Sequence, residues 1–316
     1  VRLQKFAQFY SLLRTIRKEV KRIRPQLVYI TPNAKGGAFY KDFIVIQMLK
    51  RMGCKIVVHY HNKGVALRQN KMIDNQLYRI FFKNLKVILL AEALYEDVKK
   101  YVARKDVLIC PNGIPEALSE EPTAKRNNSI PHLLFLSNLL VDKGVFTLLD
   151  ACKILKEKGY SFVCNFVGGE TAEIDSARFE QEVKARGLNQ IIRYEGKKYG
   201  KEKSESFQNA DIFVFPTYYS NECFPLVLLE AMQQGLPCIS TNEGGISEII
   251  IPDETGCIIK KKSPQELADK IEFLLNNPNK RIDMGNRGFE RYKQLFTLKA
   301  FEQRIVSILN IAIFRQ

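Results

Sequence analysis

The chain has no tryptophan and only three histidines in 316 residues. It also has no Cys-x-x-Cys pair, no Asp-x-Asp and no Gly-x-Gly-x-x-Gly. With His59, His61 and His132 scattered and no paired cysteines, the usual ligand sets for structural zinc are missing. Without Asp-x-Asp there is no aspartate pair of the kind that holds a metal–diphosphate, and no metal site is expected. The missing glycine fingerprint argues against a dinucleotide oxidoreductase. No run of 18 or more apolar residues occurs, so no transmembrane helix is predicted. An aromatic-basic RNA-binding pattern is absent too. The seven cysteines (Cys54, Cys110, Cys152, Cys164, Cys223, Cys238, Cys257) lie mostly in apolar runs. An odd number of such thiols reads as a reduced, cytoplasmic protein. There is no signal-peptide pattern and no initiator Met, and Val1 opens inside an amphipathic pattern. The chain is therefore expected to begin part-way into a longer sequence.

What is present is abundant positive charge, unevenly placed. Residues 1–127 carry 25 Lys and Arg against 10 Asp and Glu; residues 128–316 carry 24 of each. An acidic partner touching one half only would account for this: an anionic membrane surface, an anionic lipid-linked glycan or nucleic acid. Plain solubility charge is the alternative.

The length suggests about two domains, and apolar periodicity divides the chain accordingly. From Phe6 to Arg24 apolar residues recur at helical spacing (Phe6, Phe9, Tyr10, Leu13, Ile16, Val20, Ile23). Arg14, Arg17, Lys18, Lys21 and Arg22 lie on the other face, and the apolar stripe is expected to be core. Strands are predicted at 27–31, 55–61, 87–90 and 107–110, with helices at 38–52, 74–84 and 93–102. Pro115 to Ile130 is polar and rich in Pro, Glu, Lys and Asn, as a linker would be. Beyond it, strands are predicted at 132–137, 161–167, 191–195, 211–215 and 238–241, alternating with helices, and the tail from Pro264 is largely helical. Such alternation implies parallel βαβ units, hence an α/β fold of two Rossmann-like domains. The expected divisions are 1–117, a linker at 118–130, 131–296, and a C-terminal helix over 297–316 packing back toward the first domain.

The most informative segment runs from Asn221 to Met232. Glu222 falls on a strand-to-helix loop and Glu230 inside the following helix. Pro225 suits the first helical position, where its missing N–H costs nothing. Gly235 and Pro237 stop the helix. Free N–H groups at a helix start bind anions. An anion cradle with a carboxylate at either end fits a nucleotide-sugar: diphosphate in the middle, sugar hydroxyls at one end and ribose hydroxyls at the other.

This string, with Phe224 after the first Glu and the Glu230-Ala231-Met232 ending, resembles the E-x7-E motif of retaining GT-B glycosyltransferases, in particular family 4, the glycosyl transferases of group 1. Pro225 stands where that family most often has Gly. The resemblance implies two Rossmann-like domains whose parallel sheets face across a cleft. It implies that Glu222 holds donor-sugar hydroxyls and Glu230 the ribose, with the backbone at Phe224, Pro225 and Leu226 lining the diphosphate. Ser137 to Gly144 resembles the family's G-R-L…K-G element. Lys143 matches its Lys and would stabilise the departing diphosphate. Asn138 stands where Arg is usual, so either another basic residue nearby supplies that charge or the leaving group is held more loosely. His61, at the end of a first-domain strand, matches a His that approaches the donor sugar; His59 lies on the same strand face. Gly113, in Pro111-Asn112-Gly113-Ile114, resembles an interdomain turn and is expected to need a positive φ.

Two further places follow from strand ends alone. Gly168-Gly169 ends a strand and would admit a ligand closely. Gly196 to Tyr199, including Lys197, would flank the base. Gly244 to Glu248 is taken as mainly structural. The function expected is sugar transfer from a UDP- or GDP-linked donor, without a cofactor, to a glycan or lipid-linked acceptor in cell-surface polysaccharide or lipopolysaccharide synthesis. The enzyme would be cytoplasmic and peripheral on the inner membrane face, with no nucleic-acid partner. Another GT-B activity, such as a sugar-nucleotide epimerase or an inverting transferase, is the alternative within enzymes; a basic nucleic-acid-binding module is the alternative outside them.

Overall fold

The protein is described here by a computed structural model covering residues 2–116, 122 and 128–314. It divides into two compact units, Val1–Cys110 with Glu302–Gln316, and Pro111–Phe301. Most of the linker expected at 118–130 lies outside the described residues.

The first unit contains α1 (Arg2–Ile23), β1 (Val28–Ile30), α2 (Gly36–Arg51), β2 (Ile56–Tyr60), α3 (Val65–Arg68), α4 (Met72–Phe82), β3 (Lys86–Leu89), α5 (Tyr95–Val98) and β4 (Val107–Ile109). Its four strands lie in the order β1-β2-β3-β4, all parallel. Every residue of β2 is buried, as in a parallel strand covered on both faces. Tyr78, Phe81 and Phe39 pack beneath α2 and α4, with Phe39 and Tyr78 ring centroids 4.6 Å apart.

Two expectations fail in this unit. The helix expected over 93–102 is only a short 3-10 turn, Glu92–Leu94, followed by α5. Asp97 in α5 accepts the backbone N–H groups of Gly64, Val65 and Ala66, and so caps α3, a helix the sequence pattern did not suggest. An aspartate at a helix start satisfies orphan donors and favours the dipole. The apolar stripe of α1 is not core. Phe6 and Tyr10 are 73% and 64% exposed, and Phe9, Leu13, Ile16 and Val20 are only half-buried. Amphipathic spacing creates a sticky face, but burial needs a full second layer, and the described residues cover this face only in part.

The second unit contains β5 (His132–Leu136), α6 (Val145–Glu157), β6 (Val163–Val167), α7 (Ser176–Ala185), β7 (Ile192–Tyr194), α8 (Gly200–Gln208), β8 (Ile212–Phe215), α9 (Leu226–Gln233), β9 (Cys238–Thr241), α10 (Ile246–Ile249), β10 (Gly256–Ile259), α11 (Pro264–Asn276) and α12 (Pro278–Leu295). A last helix, α13 (Leu298–Phe314), starts in this unit, and its residues from Glu302 belong to the first. The six parallel strands run β10-β9-β8-β5-β6-β7. The edge strand β10 escaped the sequence reading, being only four residues, Gly256-Cys257-Ile258-Ile259. Gly256 is required there: a Cβ would sit 2.2 Å from the Cys238 carbonyl oxygen.

The order matters for function. From β5 the chain builds outward through β6 and β7, then returns to place β8 on the other side of β5. The carboxyl ends of β5 and β8 therefore flank the point where strand order reverses, where open α/β sheets bind ligands. Gly113 does not have the positive φ expected of it. It is needed for close approach instead, because a Cβ would lie 2.2 Å from the Thr297 carbonyl oxygen.

Candidate functional site

At that reversal point two loops are stitched together. After β5 the chain forms a short turn, Val141–Lys143, and Gly144 follows at φ +87°. A side chain at Gly144 would strike the Pro216 carbonyl, 2.3 Å from its Cβ position. The Asp142 carbonyl accepts the N–H of Tyr218 at 2.8 Å. The β5 loop is thereby pinned against the β8 loop, and Lys143 comes to rest beside Glu222.

Their charged ends meet at 2.5 Å, with side chains only 15% and 11% exposed. The ammonium also lies 4.7 Å from the centroid of Tyr219 and 5.4 Å from that of Phe215, within cation–π range. Glu222 is fixed from behind by its backbone: its N–H donates to the Tyr219 carbonyl, and Cys223 accepts the N–H of Gly245 at 2.7 Å. Gly244, at φ +57°, is where that second loop presses on the Glu222 carbonyl, which gives the Gly244–Glu248 segment its structural role. Glu243 beside it is buried and paired with Lys261 at 2.5 Å.

The helix α9 starts at Leu226, and Pro225 is its N-cap at φ −70° and ψ 115° rather than its first helical residue. The correction is one position and has a simple cause: Pro fixes φ but leaves ψ free, and here ψ is extended. The first N–H groups of α9, which have no intrahelical acceptors, begin directly after the Glu222 loop. The Phe224 side chain is buried edge-to-face against Phe296, centroids 5.8 Å apart, so only its backbone is available to a ligand. Leu226 is exposed.

Glu230, a little over one turn into α9, is held by a residue the sequence reading missed. Lys203 of α8 donates to its Oε1 at 2.6 Å, while Oε2 is buried without a hydrogen-bond partner. A cavity of about 100 Å³ adjoins the pair, lined also by Ser204, Phe207 and Gln234. An unpartnered buried carboxylate oxygen is costly and calls for a donor. Nothing local marks Lys203 or Tyr219 in the sequence; both enter the site through packing.

The ends of β5, β6 and β7 also converge. Asn138 accepts the N–H of Gly169 through Oδ1 at 3.2 Å. Gly168 has φ +152° and lies against the Ser137 carbonyl, 1.8 Å from where a Cβ would be. Its glycine is thus explained by the chain's own backbone. At Gly169 the Cβ position is 2.2 Å from Cε of Lys197 and 3.0 Å from Oδ1 of Asn138. Lys197 therefore lies across Gly169, the residue whose N–H bonds to Asn138, where the resemblance led one to expect an arginine. Its ammonium has no hydrogen bond or ion pair among the described residues.

His61 belongs to the first unit, directly after β2. Its ring packs on His59 with centroids 4.2 Å apart, and burial lowers its pKa. His59 is fully buried, bonded through Nδ1 to the Tyr29 hydroxyl at 2.6 Å. Burial, and then the neighbouring His61, push its pKa down to about 3. Among the described residues no group of three or more His, Cys, Asp or Glu could hold a metal ion.

Comparison with known proteins defines the class. The family "Glycosyl transferases group 1" matches residues 119–291, and the chain belongs to it. The fold is that of GT-B glycosyltransferases. A glycosyltransferase from Rickettsia africae covers 98% of the chain at a TM-score of 0.79 and 17% identity, with 82% of its own length matched. Anabaena HepE, solved with UDP, covers 95% at a TM-score of 0.80 and 17% identity, again with 82% of its length matched. Among curated relatives, the capsular polysaccharide glycosyltransferase CapM of Staphylococcus aureus is 27% identical over 176 residues, 56% of this chain and 45% of CapM. The D-rhamnosyltransferase WbpZ of Pseudomonas aeruginosa is 27% identical over 262 residues, 80% of this chain and 66% of WbpZ. The chain thus spans about half to two thirds of the length of these relatives.

Proposed function

We propose that this chain carries out retaining transfer of a hexose from a UDP- or GDP-linked donor to a glycan or lipid-linked acceptor in cell-surface polysaccharide synthesis. The observation that carries this reading is the Lys143–Glu222 pair at the strand-order reversal, beside the N-terminus of the helix that bears Glu230. The nucleoside ribose would donate to the free Oε2 of Glu230. The diphosphate would lie against the first N–H groups of α9, with Lys143 and Lys197 as fixed cations. Glu222, released from Lys143, would accept hydroxyls of the donor sugar, and His61 is the residue that the resemblance assigns to that sugar.

In this reading the acceptor hydroxyl attacks the anomeric carbon on the face from which the phosphate leaves. The sugar–phosphate bond breaks, the new glycosidic bond forms on that face, and the hydroxyl proton passes to the leaving phosphate oxygen. Configuration is retained without an enzyme nucleophile. Preorganised cations and helix N–H groups act where charge develops, which supports turnover without a divalent metal. The names of CapM, WbpZ and the UDP-bound HepE support the donor and pathway class.

Calorimetry with UDP and GDP, followed by NMR of the product anomer, tests the proposal. Saturable binding of one nucleotide, and a product with the donor's anomeric configuration in the presence of EDTA, are expected. Inverted configuration, or binding of neither nucleotide, would refute it. The charged face of α1, with Phe6 and Tyr10 exposed beside it, supports peripheral attachment to an anionic membrane. Each basic residue contributes on the order of 1 kcal/mol near such a surface. Reversing Arg14, Arg17, Lys18, Lys21 and Arg22 to Glu should abolish liposome binding and spare nucleotide binding. Unaltered liposome binding would remove α1 from that role.

A further inference from the structure

The first unit has a concave feature at the opposite end of its strands from His61. It is a groove of about 800 Å³ at the amino ends of the strands. Leu27 before β1, Ile56 at the start of β2, Lys86 at the start of β3 and Asp106 before β4 all line it, and Ala312 of α13 borders it. The volume falls within the ~300–1,000 Å³ of ordinary ligand pockets.

Its lining has two parts. The floor is apolar: half-buried Tyr101 and Leu27 line it, backed by buried Phe82, Ile56, Leu85 and Val102, with the Phe82 and Tyr101 ring planes 15° apart and centroids 5.9 Å apart. The rim is cationic, made of Lys55, Lys83, Lys86 and Lys105. The rim's single carboxylate, Asp106, is already bound to Lys86 at 2.7 Å. Lys55 donates to the Ile313 carbonyl at 3.0 Å. Lys83 and Lys105 have exposed side chains with no hydrogen bond or ion pair among the described residues. Behind the rim, Lys50 is directed at the carbonyls of Ile80, Phe81 and Lys83, at the C-terminus of α4, rather than at a carboxylate. Burial and the Lys83 charge lower its pKa to about 8. The surroundings are therefore short of negative charge.

We infer that this groove binds the phosphate head and first chain segment of an anionic amphiphile. A small inorganic anion would satisfy the lysines but leave the half-exposed Tyr101 and Leu27 wet. A neutral apolar ligand would cover the floor but desolvate two ammonium groups without return. A phosphate joined to a hydrocarbon chain answers both, with charge-assisted bonds from Lys83 and Lys105 and apolar contact below. The inference does not rest on the donor site, which lies in the other unit.

Calorimetry with monomeric dodecyl phosphate, dodecyl maltoside below its micelle concentration, and inorganic phosphate tests it on the full chain. Dodecyl phosphate should bind saturably with one site, inorganic phosphate at least tenfold more weakly, and dodecyl maltoside not at all. The double variant Lys83→Glu/Lys105→Glu should weaken dodecyl phosphate at least tenfold and leave UDP or GDP affinity unchanged, which also verifies folding. Ala103→Trp, which adds apolar bulk at an exposed alanine of the groove's lining and keeps every charge, should weaken dodecyl phosphate and spare inorganic phosphate. Equal affinity for dodecyl and inorganic phosphate, or wild-type affinity in the double variant, would overturn the inference. Binding to anionic vesicles without binding of the monomeric phosphate would overturn it too, and would assign lipid contact to α1.

Discussion

The two units use the same βαβ grammar and treat charge in opposite ways. In the first, strand order follows chain order and there is no reversal. Lys86 and Lys99 pair with carboxylates at 2.7 Å and 2.5 Å, but Lys50 is spent on carbonyls, and the Lys83 and Lys105 side chains have no hydrogen bond or ion pair among the described residues. In the second, order reverses between β5 and β8, and lysines meet carboxylates there at 2.5 Å and 2.6 Å. A buried pair contributes little net stability, because desolvation offsets most of the attraction. In the proposed function, the pairs hold charged groups in place until a ligand with both phosphates and hydroxyls replaces each partner. The proposals therefore place an anion against open lysines in the first unit, and against lysines already paired with carboxylates in the second.

The sharpest way to break that contrast is to remove the charge of Glu222 while keeping its shape. Glu222→Gln should lower turnover by about 10²–10³-fold, the scale of losing one preorganised electrostatic contact. UDP or GDP affinity should change by only a few-fold. An equal loss in affinity and rate would show that Glu222 lies at the nucleotide end. The next effect belongs to Glu230→Ala. Charge-assisted bonds of about 1.5–3 kcal/mol imply nucleotide binding some 10–100-fold weaker by calorimetry. Unchanged affinity would leave the buried Oε2 without its proposed ribose. Lys197→Met should weaken nucleoside diphosphate about tenfold and leave the nucleoside alone unaffected, the behaviour of a charge-assisted phosphate contact. Adding Asn138→Arg to that variant should restore binding. Failure of the rescue would mean that Lys197 serves the base or the fold instead.

The last effect is on stability rather than on binding and concerns His59 of the first unit. Above the ordinary value of 6.5 the ring is neutral in both folded and unfolded chains. As pH falls below 6.5 toward about 3, the unfolded chain takes up a proton that the folded one refuses, so stability is lost with acidification. At pH 5 this amounts to about 2 kcal/mol from this one group. Urea unfolding at pH 7 and pH 5 should show that part of the slope missing in His59→Gln. The same slope in both proteins would remove His59 as its source.

Much of the second unit was legible as a string. Pro225, Gly235 and Pro237 mark a helix by backbone chemistry alone, and the apolar run before Pro216 marks the strand that feeds it. Local rules of that kind act within a few residues, so a sequence displays them. The same rules misread α1, because 3.6-residue periodicity reports an apolar face and not what lies against it. They also missed α3, whose cap comes from Asp97, and Gly113, whose need for glycine comes from the Thr297 carbonyl.

By itself, the sequence determined the two-part α/β design, the E-x7-E spacing and the placement of excess charge in the first 127 residues. Only the tertiary structure decided who meets whom: Lys143 with Glu222, Lys203 with Glu230, and Lys197 across Gly169, whose N–H bonds to Asn138. The reason is distance along the chain. Helix caps and strand alternation act through neighbouring residues, whereas these contacts join segments tens of residues apart. Their geometry follows from strand order and from glycines that let two loops touch.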